Sequence, residues 1–70
     1  MKTNRHYTDD VLSVMEPGKV YTTRSICEAL GIEYEVDEEL RHVVRAAIAR
    51  NAQKGKIVRV SHGHYIKENN

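Results

Sequence analysis

Apolar residues recur along this chain in several distinct patterns, and each pattern predicts an element. Within residues 38–56, Leu40, Val44, Ala47, Ile48 and Asn51 fall three and four positions apart, the spacing that lines one stripe of a helix. The other side of that helix carries Arg41, His42 and Arg45, with Arg50 further round and the short Ala46 and Ala49 between them. Gly55 is placed to stop it. Nearer the start, Val11, Leu12, Val14 and Met15 supply a first short helix. Thr8 is its expected N-cap, Asp9 and Asp10 suit its positive end, and Pro17-Gly18 ends it. Thr22 or Thr23 caps a second helix over residues 24–30, with Ile26, Ala29 and Leu30 on its buried side and Gly31 just beyond.

Strand signals fill the remainder. Lys19-Val20-Tyr21 reads as a brief extended segment, expected to pair with a later hairpin. That hairpin comes from Ile57-Val58-Arg59-Val60 and Tyr65-Ile66-Lys67, which flank Ser61-His62-Gly63-His64. A two-residue turn at His62-Gly63 sets Val60 opposite Tyr65 and Arg59 opposite Ile66. In the link between the second and third helices, Ile32 and Val36 are expected to turn inward and Asp37 to cap the third helix. Residues 1–7 and 68–70 read as loose ends.

Length changes this picture by limiting the core. Seventy residues without Phe or Trp, and with four Tyr, make one domain close to the lower size for independent stability. A second copy or a protein partner would reinforce it. The single cysteine, Cys27, leaves no internal disulfide and reads as a small core thiol rather than an activated one. No apolar run is long enough to span a membrane, and MKTNRHYTDD lacks the character of a signal peptide. A cytoplasmic protein is expected.

Net charge is only +1, but its distribution is uneven. Residues 1–39 hold four Lys or Arg against nine Asp or Glu, whereas residues 40–67 hold seven Lys or Arg and no acid. A basic half of this kind is the footprint of an anionic partner. His62-Gly63-His64, with His6 as a third ligand, makes a weak metal candidate because no cysteine or placed carboxylate completes it. Neither a nucleophile constellation nor a phosphate-cradling glycine loop is present, so catalysis and cofactors are not expected.

The order helix, strand, helix, helix, hairpin, together with YTTRSICEALGI, LRHVVRAAIARNAQKGKIVRV and HGHYIK, resembles the winged helix-turn-helix family of small DNA-binding domains. The resemblance covers about residues 8–67. Its markers are Leu30-Gly31, the Val44, Ile48, Gly55-Lys56-Ile57 spacing, and Gly63-His64-Tyr65. It implies an α+β fold with three helices on a small antiparallel sheet, and a regulator or accessory factor of transcription that binds double-stranded DNA. On that resemblance Arg41, His42 and Arg45 of the third helix meet the major groove. Thr23, Arg24 and Ser25 lie near a phosphate, and Arg59, His62, His64 and Lys67 place a wing on the backbone or in the minor groove. Two features depart from the family pattern. The link between the second and third helices is long, and Glu33, Glu35, Asp37, Glu38 and Glu39 crowd it. An acidic link of this kind suits a protein partner instead, with Tyr34 and Glu35 at its centre; RNA is a further anionic partner consistent with the basic half.

Overall fold

The stripe within residues 38–56 becomes the spine of the protein. In the computed structural model, which describes residues 7–68, helix α3 spans Glu38–Gln53 and buries Val44, Ala47, Ile48 and Asn51. Helices α1 (Thr8–Val14) and α2 (Thr23–Ala29) lie against it, and strands β1 (Val20–Tyr21), β2 (Ile57–Ser61) and β3 (His64–Lys67) complete an α+β fold. The core gathers Val11 and Met15, Ile26 and Cys27, Ile32 and Ile57 around the α3 stripe. The three helices, the segments that follow α1 and α2, and β2 therefore supply the small buried groups, and no large ring sits at the centre.

Both longer-range helix ends are built the same way. After α2, Gly31 takes φ +81°, its N–H donates to the Glu28 carbonyl, and the Ile32 N–H donates back to Cys27. After α3, Gly55 takes φ +78°, its N–H donates to Ala52, and the Lys56 N–H donates to Asn51. These are left-handed glycine stops that satisfy the last carbonyls of a helix. Ile32 is thereby tucked into the core, as expected.

Helix α1 ends differently. It is short and has no basic residue in its last turn, so its carbonyls need a distant donor. The Lys67 ammonium supplies one, donating to Leu12 O at 2.9 Å and to Met15 O at 3.4 Å. At the start of α1, buried Asn51 donates through Nδ2 to Thr8 O at 3.0 Å. Thus both ends of the first helix are held by later parts of the chain.

The sheet is antiparallel with strand order β1-β3-β2. Tyr21, Tyr65 and Arg59 form one row across it, and Val20, Ile66 and Val58 form the adjacent row. Tyr21 and Tyr65 pack on the core, so the valine row faces solvent, with Val20 52% and Val58 39% exposed. The hairpin register differs from the expected one. Ser61 pairs with His64 around the turn, but Arg59, not Val60, pairs with Tyr65. Val60 is the extra residue of a bulge. The reason is facial: the unbulged register would turn Ile57 and Tyr65 to opposite sides, and the bulge lets both face the core.

Five local expectations are also corrected. Thr8 is the first helical residue rather than the cap; Tyr7 holds the N-cap position at φ 61° without a side-chain cap. Ala29 is exposed, and Cys27 takes its place beside Ile26. Val36 is 72% exposed, because the N–H groups of Val36 and Asp37 both turn back to Glu33 O and lift that segment off the core. Asp37 occupies the N-cap of α3, yet its side chain accepts no capping bond. Glu68, expected to be loose, donates its N–H to Lys56 O at 2.9 Å. The expectations for residues 1–6, 69 and 70 lie outside the described residues.

Replacing Lys67 by Met keeps an apolar stem but removes the donor to α1. The expected loss is about 1–2 kcal/mol, read as a lower urea midpoint at unchanged slope. Lys56 is exposed and its ammonium caps no helix among the described residues, so Lys56→Met should leave the midpoint in place.

Candidate nucleic-acid interface

Opposite its buried stripe, α3 presents His42, Arg45, Ala46, Ala49 and Arg50 to solvent. The two alanines keep the middle of this face low, so a partner surface can approach the backbone while the longer cations reach past it. Arg41, one turn before Arg45, is half-buried. Its Nη1 donates to Tyr34 O at 2.6 Å, and its guanidinium centre lies 5.0 Å from the Tyr34 ring centroid. A fork held in this way is a positioning group.

Tyr34 is the organising residue of the site. Arg24, from the start of α2, also lies over its ring, 5.5 Å from the centroid. Arg45 Nη2 donates to its hydroxyl at 3.3 Å. Three guanidinium groups from two helices therefore converge on one tyrosine: Arg41 on its backbone carbonyl and ring face, Arg24 on its ring face, and Arg45 on its hydroxyl. From the residues alone Tyr34 reads only as an amphipathic anchor for a protein partner, at the centre of the acidic link. Its contact with the three arginines left no signal, since it depends on how the 32–37 segment folds back over α3.

The acids of that segment are not uniformly free. Arg24 Nη2 donates to Glu35 Oε2 at 2.8 Å, and Arg24 Nε to Glu28 Oε2 at 3.4 Å. The hydrogen bond that Arg24 donates to Glu35, then the charge of Glu35, raises the Arg24 pKa above its ordinary value, with Glu28 adding less. His42 Nε2 lies 3.9 Å from Glu38 Oε2, an attraction only when the imidazole is protonated. Glu33, Asp37 and Glu39 are exposed. Beside them an open groove of about 460 Å³ is lined by Arg24, Glu28, Glu33, Tyr34, Glu35 and Val36, among others.

At the start of α2, Thr22 and Ser25 form a reciprocal capping box. Ser25 N donates to Thr22 Oγ1, and Thr22 N donates to Ser25 Oγ. Ser25 is thus engaged locally, Thr23 adjoins the cap, and Arg24 carries the only charge of the expected trio. On the hairpin, Arg59 Nη2 lies 3.2 Å from His62 Nδ1. A guanidinium can only donate, so this nitrogen is the acceptor. His64 Nδ1 is 2.9 Å from His62 O and 3.2 Å from Ser61 Oγ, so it carries the proton and shares it. Lys67, expected on the wing, is instead turned to α1. Cys27 is fully buried; burial raises its pKa, against the lowering by the charges of Arg41 and Arg45. Among the described residues no cluster of three or more His, Cys, Asp or Glu could hold a metal ion, and His6 lies outside them.

No protein-family model matches the chain, and no curated protein or solved structure does.

Tyr34→Leu should lower stability by about 1 kcal/mol through loss of the ring under Arg41, whereas Tyr34→Phe, which loses one exposed 3.3 Å bond, should be close to neutral. Denaturant unfolding of both variants checks this. Equal losses would assign the effect to the hydroxyl instead of the ring.

Proposed function

We propose that this is a winged-helix domain that binds double-stranded DNA, with α3 in the major groove and the β2–β3 hairpin as the wing. The observation that carries the reading is the free face of α3, where His42, Arg45 and Arg50 surround two alanines. No acid occurs from residue 40 to residue 67. Arg45 is the base-edge candidate, Arg41 holds the link in place, and His42 and Arg50 flank the groove. Arg59, His62 and His64 meet the adjacent backbone, while Thr23, Arg24 and Ser25 approach a phosphate from α2. Lys67 is left out, because its ammonium is engaged with α1. A single domain of this size makes few contacts, so a second copy or a partner protein completes the affinity needed for regulation of transcription in the cytoplasm.

A second reading has its own support. Val36 is 72% exposed beside the groove that contains Tyr34 and Glu35, an arrangement suited to a protein partner.

Titration into a random-sequence duplex at two salt concentrations separates the two. DNA binding should weaken steeply with salt, and Arg45→Ala should weaken it about tenfold further. Absence of binding even at low salt would sink the DNA reading and leave the groove as the surface to probe.

A further inference from the structure

Three guanidinium groups surround Tyr34, and they are not equivalent. Arg41 holds a backbone carbonyl and Arg45 holds the phenol hydroxyl. Of the three, Arg24 alone is engaged by carboxylates among the described residues, principally Glu35 at 2.8 Å. A carboxylate and a phosphodiester offer a guanidinium fork the same feature, two oxygens sharing a negative charge. Both partners of the pair are largely exposed, with side chains 54% and 69% accessible. An exposed pair of this kind is weakly held in water and readily exchanged.

We propose that Glu35 is an internal stand-in for a DNA phosphate: it occupies the Arg24 fork in the free protein and is exchanged for a backbone phosphate on binding. The inference rests on the DNA-binding reading and deepens it by naming one phosphate seat. Arg24 supplies the fork, and the Tyr34 ring beneath it fixes where the fork lies. Arg45 adds a second cation against the same phenol. Glu35 then sets a threshold, because each binding event must release its carboxylate into solvent. This gives the acid nearest the cationic cluster a function distinct from that of Glu33, which lies two residues earlier, is exposed and forms no ion pair among the described residues.

The test compares the wild type with Glu35→Gln, Glu33→Gln, Arg24→Ala and the Arg24→Ala/Glu35→Gln double variant. Each is titrated into the same fluorescent random-sequence duplex at two salt concentrations, with circular dichroism confirming the fold. Glu35→Gln should tighten binding roughly two- to fivefold more than Glu33→Gln, and the extra gain should vanish when Arg24 is absent. Equal gains from the two Gln variants would overturn the inference, since both would reflect only a reduced negative field. So would a gain that persists without Arg24. In either case salt-dependent binding by the wild type would leave the DNA reading intact. If the wild type does not bind duplex even at low salt, the DNA reading and this inference fail together.

Discussion

One helix has to be buried along one side and bare along the other. Val44, Ala47 and Ile48 anchor α1, α2 and the sheet to α3, so the fold has no core without that stripe. The opposite side is then left without any packing role and can carry cations separated by alanine. Buried Asn51 sharpens this division. Its Nδ2 binds Thr8 O, while its Oδ1 has no partner among the described residues. A polar group tolerated in so small a core ties α1 to one position along α3 at some cost in stability.

The charge pattern acquires meaning only in three dimensions. Along the chain an acidic half precedes a basic half, an arrangement that suggests mutual neutralisation. In the fold the neutralisation is partial and local. Glu35 and Glu28 meet Arg24, Glu38 approaches His42, and Arg45 faces a phenol instead of a carboxylate. Tyr34 thus engages Arg41 and Arg45 where acids lie only a few residues away, which lets an acidic link sit at the edge of a basic face.

The helices and their glycine stops were legible from the residues, because periodicity and a left-handed stop are local properties of the chain. The pairing of the first extended segment with the hairpin followed from the same patterns. What escaped was non-local. The Val60 bulge answers a demand that Ile57 and Tyr65 share a face, which spacing within either strand does not express. Lys67 looked like a wing cation because it ends a basic strand, yet its partners lie 55 and 52 residues away. Val36 looked like a core residue by composition, but the turn at Glu33 lifted it into solvent. The candidate cations were identifiable by type; their division into positioning groups and available groups depends on how the 32–37 segment and β3 fold back onto the helices.

The strand order carries a consequence for assembly. The central strand, β3, is the last of the three to be synthesised, so β1 and β2 have no sheet partner until it exists. Contacts among the helices form over shorter stretches of chain and can be made earlier. A nascent chain paused before residue 64 would hold helices with an open flank, its Tyr21 and Ile57 still uncovered. The interval between completing β2 and completing β3 is therefore when this protein is most open to wrong pairing with another chain.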